Sequence, residues 1–296
     1  MYWPDLGKVQ KIGDMNIVSQ MCAIAVMFVI MYFYISQKKI ILHTSKAFVE
    51  VWIAGMLSLF FDIFSLVAIE KRSGYPFTVT NIICKLYLWT VTWVAMVAFW
   101  YICVDIFRKK ELECKWRKRL LIFGIITDIL IMSLPIKIYD SNNIVYTYGP
   151  AVIITYVVTV TLLGLILLLT KKYGQVINPR RRKSMQVWVA LMFSAAVIQF
   201  INNKLLIVGF ASMIGVLIIF IMLENPMANI DRDTGFFNLN AFFEYMKEAY
   251  GQGKDVSIVC VRYGSNGNEV FSSKMEKSIF FEVVSFIKNI PDNYAV

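Results

Sequence analysis

Some ionisable side chains stand inside long apolar runs, among them Asp62, Lys85, Asp105 and Asp128. A charge in hydrocarbon is costly, so such residues pair with one another, face the interior of a helix bundle, or mark a ligand or ion pathway. Asp62 and Lys85 lie on successive runs and are expected to form an ion pair. That pair would either line a ligand pocket or simply fix the register of two helices. Asp128 sits near the middle of its run with no partner suggested by sequence, which makes it the stronger pocket residue. Asp62, Lys85 and Asp128 are therefore the candidate pocket for a small-molecule ligand whose identity the sequence does not name. Asp105 is near the end of its run and is expected to reach the headgroups. Trp89, Trp93 and Trp100, with Tyr87, read as helix packing rather than a ligand cage. Other chemistries are excluded by supply. His43 is the sole histidine, and the five cysteines contain no C-x-x-C pair. One histidine cannot build a His-based metal cluster, the odd number of cysteines fits no disulfide framework, and no catalytic or metal-ligating residue is assigned.

The elements that must position these residues are membrane helices. The chain is 296 residues long, 58% hydrophobic and 17% charged, against about 45–50% and about 25% in soluble domains. Seven runs reach roughly the length needed to cross hydrocarbon: Met15–Ser36, Ala47–Ile69, Val79–Phe107, Leu120–Tyr139, Gly149–Thr170, Met185–Ile201 and Leu205–Glu224. The sixth and seventh are separated only by Asn202, Asn203 and Lys204, so they form a tight helical hairpin unless one is re-entrant. The first run is read as a retained helix, not a cleaved leader. Sixteen Lys and Arg fall in the loops after runs one, three and five, and six in the N-terminus and the other loops. The positive-inside rule then sets the N-terminus outside and the C-terminus in the cytosol of a multi-pass plasma (inner) membrane protein. It also puts Asp62 and Lys85 in the outer half of the bilayer. The net charge of +10 follows from these loops, so the expected partner is the lipid bilayer and not nucleic acid.

Two stretches carry family resemblances. Tyr146, Tyr148, Gly149 and Pro150, in the loop before the fifth run, resemble a motif at the same place in the seven-span N-terminal sensor region of some bacterial histidine kinases. Read without the family, they are interfacial tyrosines and a helix-starting proline. After the seventh run, Asn225-Pro226 interrupts helical continuity. Asn238 then has the character of an N-cap, followed by an apolar stripe through Phe242, Met246 and Ala249. A short strand is expected at Val256–Arg262, and a second helix from the capping box Ser273/Glu276 to Ile290. Asp231, Thr234, Gly235, Asn238 and Phe242 sit as in the D-x-L-T-G-L-x-N-R-x-x-F opening of GGDEF domains, which the tail resembles.

The resemblance implies a diguanylate cyclase-like domain that would use Mg²⁺ and GTP, with Asn268 as the vestigial guanine contact. It also implies loss of activity. Cys260 and Arg262 stand where the D-I-D aspartates belong, and the G-G-D-E-F turn is missing. No cofactor is therefore expected to bind productively. The fold expected is mostly α: a seven-helix transmembrane bundle (1–224), a short linker (225–230) and a small, incomplete α/β GGDEF-like piece (231–296) built helix-strand-helix. The open strand edges and apolar face of this piece are expected to be covered by packing on itself or on the membrane face, by pairing with a second copy or with a full GGDEF or EAL protein, or, the favoured reading, by continuation in a longer chain. The function expected is membrane signal sensing with a non-catalytic output, in cyclic di-GMP-type signalling. The alternatives are a transporter or channel with an incidental tail, or an inactive fragment of a longer cyclase or phosphodiesterase. The topology has a direct check. A reporter fused after Arg182 is expected to be active only if it works in the cytoplasm, and activity of an export-dependent reporter there contradicts the orientation.

Overall fold

The computed structural model describes residues 17–37, 43–71, 74, 76–107, 110–141, 144–201, 207–231, 236–251, 253, 255–258, 281–282 and 285–286. The chain divides into two compact units. One comprises Met1–Gln37 and Ile41–Asn225, the other Lys38–Ile40 and Pro226–Val296.

The described residues of the first unit form seven α-helices and a hairpin. In order they are α1 (Ile17–Ser36), α2 (His43–Glu70), α3 (Phe77–Ile106), α4 (Lys110–Ser133), β1 (Lys137–Ser141), β2 (Ile144–Tyr148), α5 (Pro150–Lys172), α6 (Pro179–Ile201) and α7 (Val208–Ile219). The mostly-α expectation holds. By length and apolarity, five stretches can cross a membrane: α1, α2, α3, α5 and the stretch that begins with α7 and runs to Asn229. They point to a membrane protein. Helices α4 and α6 are not among the five; each opens on charged sequence, KELECKWRKR in α4 and PRRRK in α6. The five spanning helices have no polar stripe. They expose large apolar side chains such as Phe28, Ile53, Ile82, Ile153 and Ile221, as expected of helices whose outer face meets lipid rather than water.

The fourth apolar run does not continue as helix to Tyr139. Pro135 disfavours helical backbone in the residue before it, α4 stops at Ser133, and the β-prone sequences beyond pair as an antiparallel hairpin. Its register runs from Lys137 opposite Tyr148 to Ser141 opposite Ile144. Gly149 closes this hairpin and leads into Pro150 at the start of α5. Its φ of +127° is a conformation open in practice only to glycine, and a Cβ there would stand 2.9 Å from the Pro135 carbonyl oxygen.

Helix neighbours follow chain order, and α7 returns to pack on α1 and α2. Helix α3 is the central one, touching α2, α4, α5 and α6. The main core joins Met27, Phe48, Tyr101, Trp188 and Val216, from five different helices, and a smaller one sits by the hairpin around Ile69, Leu88, Ile131 and Ile136. Gln199 of α6 reaches the start of α7, where its Oε1 accepts from the backbone N–H groups of Ile207 (3.2 Å) and Val208 (3.3 Å). This satisfies donors that a helix start leaves open. The expected tight link at Asn202, Asn203 and Lys204 lies outside the described residues.

In the second unit, Ile230 bridges antiparallel to Phe237 and the Asp231 N–H donates to the Phe236 carbonyl at 2.8 Å. Asn238 caps α8 (Leu239–Gly251): its Oδ1 accepts from the Ala241 N–H at 3.0 Å, while its Nδ2 donates to the Ala228 carbonyl at 2.9 Å. Ala241, Met246 and Ala249 are the buried face of α8. The strand expected at Val256–Arg262 is not seen in its described part, since Val256–Ile258 is in no regular element. Strands exist by pairing, and no second strand is among the described residues of this unit. Of the expected second helix, 281–282 and 285–286 are described, and they are helical.

One glycine tests the packing of α6 on α7. A Cβ on Gly215 would overlap the indole ring of the buried Trp188. Gly215→Ala is expected to destabilise the purified full chain by about 1–3 kcal/mol through overpacking, read as a lower midpoint of thermal unfolding in nanodiscs; an unchanged midpoint contradicts this contact.

Candidate functional site

The strongest cluster of polar groups lies at the end of the bundle where α1, α3 and α7 finish and α2 and α6 begin. Its centre is Glu224. Beyond Ile219 the helix of α7 widens into a π-helical turn over Phe220–Glu224, an irregularity often found at functional positions. Asn225 is extended before Pro226, so the helix ends immediately after Glu224. The Glu224 carboxylate is buried. Tyr101 Oη of α3 donates to Oε1 at 2.8 Å and Ser45 Oγ of α2 donates to Oε2 at 3.3 Å, while the Thr44 side chain reaches the same carboxylate.

The countercharge is Arg181. Asn178 caps α6, its Oδ1 accepting from the Arg180 N–H at 3.0 Å. Of the Arg180-Arg181-Arg182 run that follows, only Arg181 is buried. Its guanidinium lies over the Tyr101 ring, 4.6 Å from the centroid, and its charge acts on Glu224. Tyr34 of α1 completes the cluster by donating to the Ser45 carbonyl at 3.3 Å. Four helices thus meet through one buried carboxylate, and α1 joins them through the Ser45 carbonyl. Burying two charges has a large desolvation cost, offset only when they are paired and their remaining valences are hydrogen-bonded. Tyr101, Ser45 and Thr44 supply those bonds to the carboxylate.

The sequence-derived pocket residues are not brought together. Asp62 is buried on α2 and accepts from Gln20 Nε2 of α1 at 3.1 Å, with Tyr87 of α3 bonded to the same carboxylate. Lys85 does not pair with it: its Nζ donates to the Met132 carbonyl of α4 at 2.6 Å. Helical phase explains the correction. Lys85 is two residues from Tyr87, about 200° around α3, so it turns away from α2 when Tyr87 faces it. At Met132 the ammonium meets the last turn of α4, where the helix dipole favours a cation. Asp128, which has no partner in sequence, has one in space: Trp93 Nε1 donates to its Oδ2 at 3.1 Å, and Trp89 acts on the same carboxylate. Lys85 and Asp128 therefore belong to the α3–α4 seam, apart from Asp62. The side chains of Asp105 and His43, and the positions Thr234, Gly235 and Asn268, lie outside the described residues. Within the opening motif, Asp231 and Asn238 hold the turn before α8, and the Phe242 N–H donates to the Asn238 carbonyl at 3.1 Å.

Glu224 and Arg181 escape a reading by sequence because each stands where a charge is ordinary, at the end of an apolar run and within a basic loop. The available signal was the acidic residue that closes an otherwise uncharged run immediately before Asn-Pro. No family model matches the chain, and neither does any curated protein or solved structure.

Removing the Glu224 carboxylate takes away the countercharge that acts on buried Arg181. Glu224→Ala is expected to cost about 3–5 kcal/mol of stability. Tyr101→Phe, which removes a single hydrogen bond, is expected to cost about 1–3 kcal/mol. Thermal unfolding of both variants in nanodiscs checks the order; equal, small losses contradict a charged centre at Glu224.

Proposed function

We propose that the protein is a signal-sensing protein of the plasma membrane in which all seven helices cross the bilayer, with the N-terminus outside and the C-terminus cytosolic. In this reading the residues after Pro226 are a non-catalytic, GGDEF-like output module acting by contact in cyclic di-GMP-type signalling. The observation that carries it is the Glu224 cluster. The last turn of α7 is tied by a buried carboxylate to α2, α3 and α6, and the chain passes from that turn directly into the second unit. Any rearrangement among the helices that weakens this tie is delivered to the residues that follow.

The seven-span count is supported by the outer faces of the two less apolar helices. Ile122, Ile125 and Ile129 of α4, and Val187 and Phe193 of α6, are exposed, and in water such faces would be a large uncovered apolar surface. The output reading is supported by the Asn238-capped turn, which keeps the structural part of the motif. At Cys260 and Arg262 the chain lacks the carboxylate oxygens that hold a hard cation, and phosphoryl transfer of this kind needs metal-bridged phosphates. The module is accordingly proposed to bind a GGDEF or EAL protein, or a second copy of the chain.

Expression of the full chain in a bacterium is expected to change the cellular cyclic di-GMP level, and a chain lacking residues 231–296 is expected to leave it unchanged. Equal levels in the two strains contradict the output role. Formation of cyclic di-GMP from GTP and Mg²⁺ by purified full chain contradicts the non-catalytic assignment.

A further inference from the structure

A second polar feature lies deeper in the bundle and does not depend on the signalling reading. A cavity of about 20 Å³ is lined by residues of α2, α3, α5, α6 and α7, among them Ser58, Tyr87, Thr159, Trp188, Gly209 and Ser212. Three of its lining residues each carry a buried polar atom without a hydrogen-bond partner: Thr159 Oγ1, Trp188 Nε1 and Ser212 Oγ. Trp188 is 2% exposed and Ser212 7% exposed. An unpartnered polar atom in such a place is costly, yet the three residues come from different helices and line one small space. Trp188 cannot be turned freely away from it, because the indole packs on the α7 backbone at Gly215.

We propose that this cavity is a binding site for a neutral small molecule that presents an acceptor oxygen to Trp188 Nε1–H. The indole can only donate, whereas the two hydroxyls can donate or accept. An oxygen bearing its own hydrogen, or a small amide, would satisfy all three groups together. Neither Lys nor Arg lines the cavity, and Asp62 stands at its edge: Tyr87 in the wall bonds the Asp62 carboxylate, and a Cβ on Gly209 would lie 3.3 Å from Asp62 Oδ2. An anion is thereby disfavoured. The volume admits about one or two water molecules or a solute of similar size. Binding there would join α5, α6 and α7 through a shared ligand, next to the Asp62–Tyr87–Gln20 bonds that join α1, α2 and α3.

The test uses the full chain in nanodiscs with ¹⁵N-labelled indoles. The protein has seven tryptophans, and Trp188→Phe identifies the resonance of interest. If water is the occupant, Trp188 Hε1 shows a cross-peak to water that is lost in a Thr159→Val/Ser212→Ala variant. If a solute is preferred, formamide as probe moves the Trp188 resonance saturably while the other six stay still, and the double variant abolishes that movement. Either result supports the site and names its source. The remaining six resonances report whether a variant keeps its fold; where the double variant does not, the single variants are read in the same way. Absence of both the water cross-peak and the saturable formamide shift, or persistence of either in the variants, overturns the proposal.

Discussion

The bundle depends on a carboxylate buried where its helices meet. Glu224 has no water to solvate it, so the fold must supply a countercharge and hydrogen bonds at the same point. Arg181 supplies the first, and Tyr101, Ser45 and Thr44 the second. Four helices must be correctly rotated for this to happen at once. Apolar packing in a bilayer discriminates poorly between rotations, because lipid tails are as apolar as the helices themselves. The Glu224 cluster is accordingly best understood as a register device, and its position in the last turn of α7 makes the register of that helix the quantity it controls.

The other polar contacts follow the same rule at other heights. Asp62 with Gln20 and Tyr87 links α1, α2 and α3. Lys85 with the end of α4, and Asp128 with Trp93, tie α3 to α4. Helix α3 takes part in every one of these, including the Glu224 cluster through Tyr101, which agrees with its central place in the packing. Among the described residues, Asp62, Lys85, Asp128 and Glu224 reach across seams between helices, whereas buried Ser and Thr such as Thr155 and Ser184 bond carbonyls of their own helix.

How much of this was legible in sequence depends on range. The long apolar runs give α1, α2, α3 and α5 to within several residues, because length and apolarity are local properties. The N-cap at Asn238 and the proline start of α5 are local as well, and both could be read directly. The pairing of the intramembrane charges could not. Lys85 and Asp62 look like partners by depth, but two residues of helical phase decide otherwise, and depth along a sequence does not encode rotation. The β1–β2 hairpin was hidden because its strands continue the apolar run of α4; Pro135 was the mark of the break. Arg181 was concealed within a run of arginines, and only the three-dimensional cap of α6 shows which of them turns inward.

The central claim is that Glu224 and Arg181 act as one buried unit. A double-mutant cycle of Glu224→Gln and Arg181→Gln on the full chain in nanodiscs, read by thermal unfolding, measures their coupling directly. Here the double variant should lose clearly less stability than the two single losses added together, with a coupling on the order of 1–3 kcal/mol. Simple additivity of the two losses would show that the charges do not depend on each other and would contradict the account.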